Sequence, residues 1–279
     1  MAGDTRKHEK ALESNEEEAL RRIALCAKAQ KKKLNLSLLR LGELPEELQG
    51  LYWLEELDLS CNSLSRLPEW IGGLKKLKTI NLELNRLETL PESFCGLDSL
   101  EYFTLCETHN RPALEEMMGQ GSWFTSLPES FGKLSSLKGF YISDTRVARL
   151  PDSFGDLKSL KFLAILEIVT PDFYFPPSMK NLKALRSVSL GALDHVPDFI
   201  AELKDLTALD LSHNRLETLP EFIGNLKKLK ALNLHSTWIK DLPGWFANLK
   251  KLKDLDLSSN GITKAPEVLK EMPGLKVVI

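Results

Sequence analysis

The sequence predicts an α/β solenoid, a coil of short parallel strands, and three observations lead there. Prolines recur in register at Pro45, Pro68, Pro91, Pro128, Pro151, Pro176, Pro197, Pro220, Pro243 and Pro266. Six of their nine intervals are 23 residues, 25 and 21 average to the same value, and the 37 is one repeat carrying 14 extra residues. Each proline also closes one apolar grammar: Leu54, Leu57, Leu59, Asn62, Leu64 and Leu67-Pro68, then Leu77, Ile80, Leu82, Asn85, Leu87 and Leu90-Pro91, and later Leu206, Leu209, Leu211, Asn214, Leu216 and Leu219-Pro220. Finally, 43% hydrophobic and 27% charged residues over 279 positions is the balance of a folded soluble protein. The repetition overrides the two domains that about 150 residues per domain would suggest.

Residues 1–33 read as a tail and capping helix, and residues 34–279 as the repeat domain. Leu20, Ile23, Ala24 and Ala27 share a helical face, with glutamates before and Lys31, Lys32 and Lys33 after, so a helix over roughly residues 11–31 would cover the first leucine layer. In each L-x-L the two leucines point inward and the residue between them outward, which makes a short strand. About 10–11 such strands stack in parallel. Asn62, Asn85, Asn214 and Asn260 stand where the chain turns off the strand, where an amide can bond backbone groups that the turn leaves unpaired. Thr108, Thr145 and Thr237 can do so in part, but Ile168 and Leu193 cannot, so looser turns are expected in the middle. The Leu-Pro step ends each extended segment because proline lacks a donor. The stretch after each proline has room only for a short helix on the convex side. At the far end Leu275 and Val278 begin an eleventh strand with no polar cap, an edge that is tolerated, meets a partner or meets a further domain.

The full pattern, L-x-x-L-x-L-x-x-N-x-L-x-x-L-P, resembles the leucine-rich repeat family over about residues 34–279. The return half, LP-x-x-(I/F)-x-x-L, is similar to its 23-residue class. That class includes Ras-suppressor-like scaffolds, plant intracellular Ras-group-related proteins, the repeat region of Roco proteins and bacterial cytoplasmic repeat proteins. The resemblance implies a right-handed horseshoe with a concave parallel sheet. It also implies interaction or scaffold roles, some in small-GTPase signalling. Two other roles fit it: the recognition half of a larger enzyme such as a ubiquitin ligase, Roco protein or kinase, or a secreted host-directed effector.

Solenoids bind on the concave sheet, which is extended and free of core duties. Register gives the outward positions, and the candidate partner-binding residues among them are Glu56, Asp58, Asn81, Glu83, Tyr102, Thr104, Tyr141, Asp144, Phe162, Asp210, His213, His235 and Asp256. Six of these are acids, and Glu107, Glu167 and Asp254 bring the whole face to nine carboxylates, opposed by Lys33 alone. Such a face attracts a basic surface and repels nucleic acid. The same acids would also serve as solvated positions that deter aggregation. Aromatics cluster as well: 12 of the 21 Phe, Trp and Tyr lie between Tyr102 and Phe175. Tyr102, Tyr141 and Phe162 face outward, and two irregular loops add Trp123, Phe124, Phe173 and Tyr174 at the rim. Aromatics ringed by acids have the composition of an interface hot spot. The alternative is that loop apolars fold back to plug gaps in the repeat.

Charge and motifs exclude several functions. Lysine plus arginine is 37 against 39 acids, a net charge of −2 that gives no support for nucleic-acid binding. No apolar run approaches the ~18 residues that cross a bilayer, and the amino terminus has no apolar core behind its charges, which reads as no secretory signal. Four scattered cysteines, none in a CxxC pair, point to a reducing compartment, the cytoplasm, and away from structural zinc. His213 and His235 come from adjacent repeats near Asp210 and Asn233, and strands ~4.8 Å apart would bring them close. Paired surface histidines are ordinarily solvated, so no metal is expected. Phosphate-loop, nucleophile-elbow and HExxH patterns are missing from the sequence. Cys106 has no histidine on a neighbouring strand by register. The expectation is a monomeric, non-enzymatic module without a cofactor that binds a basic protein on its concave face.

Overall fold

The computed structural model describes residues 2–106, 124–168 and 173–279, with side chains of the opening helix described from residue 15. Helix α1 (Ala2–Lys28) leads into eleven strands that form one sheet in chain order. They are β1 (Lys33–Asn35), β2 (Glu56–Asp58), β3 (Thr79–Asn81), β4 (Tyr102–Cys106), β5 (Gly139–Ser143), β6 (Phe162–Leu166), β7 (Ser187–Leu190), β8 (Ala208–Asp210), β9 (Ala231–Asn233), β10 (Asp254–Asp256) and β11 (Lys276–Val278). Every pairing is parallel, and the inward residues align rung on rung, Leu34 on Leu57, Leu57 on Ile80, Ile80 on Phe103 and so on to Leu255 on Val277. A single buried apolar cluster runs from Ala19 to Met272. Each fully buried leucine in it contributes roughly 1.5–3 kcal/mol by leaving water.

The asparagine ladder forms as the spacing predicts. Buried Asn62 accepts from the N–H groups of Leu39 (3.2 Å) and Leu41 (3.0 Å) and donates to the carbonyls of Leu36 (2.8 Å) and Leu59 (2.9 Å). Asn85, Asn214 and Asn260 bridge neighbouring repeats in the same way. Thr237 does the partial job, with its hydroxyl 2.8 Å from Asn260 Oδ1, whereas the buried Thr145 hydroxyl has no hydrogen-bond partner among the described residues. Thr108 lies outside the described residues.

Strand length follows a second rule that the periodicity did not announce. The last residue of β1, β2, β3, β8, β9 and β10 is always Asp or Asn, and its side-chain oxygen accepts the backbone N–H two residues on, at 2.8–3.0 Å. This Asx turn bends the chain away after three residues. In β4, β5 and β6 the same position holds Thr104, Tyr141 and Ala164, which make no such turn, and these strands run on to five residues. In place of the looser turns expected there, backbone pairing extends. The turn that follows then takes a left-handed φ in most repeats, including Cys61 (55°), Leu84 (53°), His213 (56°) and Ser259 (59°).

On the convex side each repeat proline leads into a 3-10 turn such as Glu69–Gly73 or Glu221–Asn225. These turns pack closely. A Cβ on Gly72 would lie 1.9 Å from the Ser93 carbonyl oxygen, and one on Gly132 1.9 Å from that of Ser153, so only glycine permits the approach.

The cap differs in detail from the expected helix over 11–31. It ends at Lys28, where Gln30 (φ 48°) turns left-handed, Lys31 N–H reaches the Cys26 carbonyl (3.0 Å) and Gln30 N–H that of Ala27 (3.2 Å). The buried stripe is Ala19, Ile23 and Cys26, spaced by four and three residues, and Leu20 and Ala24 face solvent. At the other end β11 exists, but only 22 residues separate its inward Val277 from Leu255. Val278, read as an inward residue, is therefore exposed on the open face of the sheet.

Candidate functional site

Short strands leave the open face lined by the two residues that flank each strand's buried central one and by the turn after it. At the amino-terminal half, Glu56, Asp58, Asn81, Glu83, Tyr102 and Thr104 line one groove of about 490 Å³. At the carboxyl-terminal half, Ala208 and Ala231 floor a second hollow of about 590 Å³, edged by Asp210, Asp254, Asp256, Lys276 and Val278. Between them stands an aromatic ridge. Tyr102 and Phe162 are exposed and Tyr141 is half-buried. Gly139, on the strand between Tyr102 and Phe162, makes room for this: a Cβ there would lie 2.7 Å from Tyr102 Cδ1, so the Tyr102 ring lies across the sheet over the glycine.

The electrostatics divide the acids into engaged and available groups. Lys33 pairs with Glu56 (2.8 Å), and Asn35 donates to Asp58 (3.2 Å). Asp58, Asp210 and Asp256 each close an Asx turn, so the feature that marks them outward also gives them a structural task. Glu83 is half-buried; that burial, with Asp58 nearby, raises its carboxyl above the usual range. Burial likewise pushes the Tyr141 phenol up, Cys106, Glu167 and Glu83 add to the effect, and a hydrogen bond with Ser143 opposes it. His213 and His235 stand with ring centroids 5.0 Å apart.

Several predicted site residues are placed elsewhere. Asp144 is 8% exposed: it directly follows the five-residue strand β5, and its N–H still reaches the Leu166 carbonyl (3.3 Å). Ser143 and Cys106 are buried too, as last rungs of the longer strands. Phe124 is fully buried and not at the rim. Arg146 N–H donates to its carbonyl (2.9 Å), and it stands three residues before Leu127, in the slot that Leu64 holds before Leu67. Trp123 lies outside the described residues. Phe173 packs half-buried on the core, 4.8 Å from Phe175, and Tyr174 is exposed. Both line a lateral hollow with His195 and Phe199, apart from the Tyr102 ridge. Five of the twelve clustered aromatics are core: Phe124, together with Phe103, Phe131, Phe140 and Phe154, which form a buried stack with centroids 5.0–6.0 Å apart. The sequence reading missed Lys276 and Val278, because the one-residue shortfall before β11 shows only in the strand register.

Glu107 also lies outside the described residues, so the exposed or half-buried acids of the face are Glu56, Asp58, Glu83, Glu167, Asp210, Asp254 and Asp256, against Lys33 and Lys276. No group of three or more metal-ligating side chains and no helix able to cross a membrane occurs among the described residues. An open acidic face of this kind can recognise a complementary surface.

Family models agree with this architecture. One described as a leucine-rich repeat region matches residues 117–211, one as leucine rich repeat matches 32–87 and 54–109, and one as two copies of leucine rich repeats matches 204–247. No curated protein matches the chain. Among solved structures, Toll in the Toll–Spatzle complex of Drosophila superposes with a TM-score of 0.63 at 20% identity, over 88% of this chain and 33% of that one. The plant peptide hormone receptor RGFR1, in complex with RGF2, gives 0.58 at 24% identity, over 89% and 45%. The leucine-rich repeat domain of the type III effector XopL gives 0.53 at 19% identity, over 92% and 79%. The chain thus spans less than half of the RGFR1 and Toll chains, and at these identities the likeness is one of fold. Its repeat grammar, asparagine ladder, eleven-strand parallel sheet and model matches together make the chain a member of the leucine-rich repeat family, a family of protein-interaction modules.

Proposed function

We propose that this chain is a non-enzymatic recognition module or scaffold that binds a basic protein surface on the open face of its sheet. The observation that carries this is the aromatic ridge of Tyr102, Tyr141 and Phe162 standing beside half-buried Glu83. Aromatic anchors next to an under-solvated carboxylate favour an arriving lysine or arginine, which relieves the burial cost of Glu83. The receptors RGFR1 and Toll, similar in fold, are each seen in complex with another protein, which fits such a use of the fold. Four scattered cysteines suit a reducing cytoplasm, and signalling through a monomeric scaffold is the role we assign there. The even proline spacing favours the 23-residue class.

The test is affinity capture by wild-type chain and by the Tyr102→Ala/Tyr141→Ala variant, with captured proteins identified by mass spectrometry. The variant should lose the wild-type partner while melting at an unchanged temperature. Identical capture by both would move the binding surface elsewhere. Affinity for the partner should also fall in ~0.5 M salt, where exposed charges are screened within a few ångströms. Robust hydrolase, kinase or ligase turnover by the purified chain would favour the enzymatic reading instead.

A further inference from the structure

We propose that His213 and His235 form a binding site for one borderline transition-metal ion, Zn²⁺, Ni²⁺ or Cu²⁺, independently of the aromatic ridge. The two residues follow β8 and β9, and His213 N–H donates to the His235 carbonyl (2.9 Å), so the backbone fixes their spacing. Their ring centroids are 5.0 Å apart and the rings are inclined at 77°. Two imidazoles sharing a metal at about 2.0–2.1 Å, at a near-tetrahedral angle, hold their centroids about 5 Å apart. The pair already stands at that separation.

Hydrogen bonding decides which nitrogen is offered. Ser258 donates to Asp256 Oδ1 through both its amide (2.9 Å) and its hydroxyl (2.5 Å). Asp256 Oδ1 thus accepts both bonds, and a carboxylate oxygen has no hydrogen of its own to offer Ser258. The single hydroxyl hydrogen of Ser258 is therefore committed to Asp256. Ser258 Oγ, 2.8 Å from His235 Nδ1, must accept from that ring. Neutral His235 thus carries its proton on Nδ1 and its lone pair on Nε2. This is the tautomer that metal-bound histidines adopt when an oxygen acceptor backs the other nitrogen. Imidazole donors suit zinc, nickel and copper, not magnesium or calcium. No third ligand joins them among the described residues, so water or a partner's side chain completes the coordination sphere.

The experiment is calorimetric titration of the full chain with each metal chloride in turn, with electron paramagnetic resonance on the Cu²⁺ complex. We expect one ion per chain and two nitrogen donors in the Cu²⁺ spectrum. His213→Ala and His235→Ala should each abolish binding, and His195→Ala should leave it unchanged. Ser258→Ala, which keeps both rings but removes the acceptor behind Nδ1, should weaken binding about tenfold, the usual cost of losing a supporting partner. Circular dichroism establishes that each variant is folded. Three results would overturn the proposal: no binding at millimolar metal, binding that survives loss of both histidines, or a Ser258→Ala variant indistinguishable from wild type.

Discussion

Asn85 shows what one side chain does for the coil. It accepts from Leu64 N–H (3.1 Å) and donates to the carbonyls of Leu59 (2.9 Å) and Leu82 (3.1 Å), all buried. Asn85→Ala takes the partner from the Leu64 N–H and a donor from the Leu82 carbonyl, while the Leu59 carbonyl keeps its bond from Asn62, and should cost about 2–4 kcal/mol in urea unfolding. That role was legible, because a single polar residue type recurring inside an apolar frame has few other uses. Asp58 and Asp210 were half-legible. Alternation places them outward correctly, but their Asx turns are visible only when each is read with the serine two residues later. Phe124 could have been placed by counting back three from Leu127; its residence in an irregular loop hid a regular slot.

Among elements, the 3-10 turns make the sharpest comparison. Gly132 and Gly73 both lie in or at the end of such turns, yet a Cβ on Gly132 would meet the Ser153 carbonyl at 1.9 Å while one on Gly73 meets nothing within 4 Å. Gly132→Ala should therefore destabilise by about 1–3 kcal/mol, since neighbouring turns must separate. Gly73→Ala should be neutral or stabilising by up to about 1 kcal/mol through the unfolded chain. Thermal melts of the two variants, run side by side, check this; equal losses would mean that the close approach does not govern. The short convex helices were predicted from the space left after each proline. Which glycines are sterically required was not, because only the distance between adjacent turns decides it. The cap helix was legible in existence, but its buried stripe of Ala19, Ile23 and Cys26 is offset from the expected face of Leu20, Ile23, Ala24 and Ala27.

Over the whole molecule, acid should act from the amino-terminal end. Hydrogen bonds from Arg21 and Arg22 hold Glu18 down at about 2, and bonds from Lys32 and Lys78 do the same for Glu55. A carboxyl lowered from 4.5 on folding adds stability that is present in full above that value and lost as pH falls through about 2. Both groups are solvent-exposed, so the effect is modest and salt-sensitive. Hydrogen exchange between pH 4.5 and pH 2 should show the amides of α1 to β3 losing protection before those of β4 to β6. Uniform loss along the chain would contradict it. The repeat architecture itself was readable because stacking imposes one count on every turn. The break in that count before β11 was not, since no proline comes after it to reveal it.

The five-residue central strands carry a consequence for how such a chain can change. From Phe103 to Phe140 the path takes 37 residues, and from Leu163 to Val188 it takes 25, yet both pairs meet as neighbouring rungs. Main-chain bonding across β4, β5 and β6 keeps the winding in phase where the spacers lengthen. The outer windings, clamped by amide and carboxylate side chains, keep to 21–23 residues. The midpoint is thus the splice-tolerant span, where new sequence could be hosted without unwinding the rest.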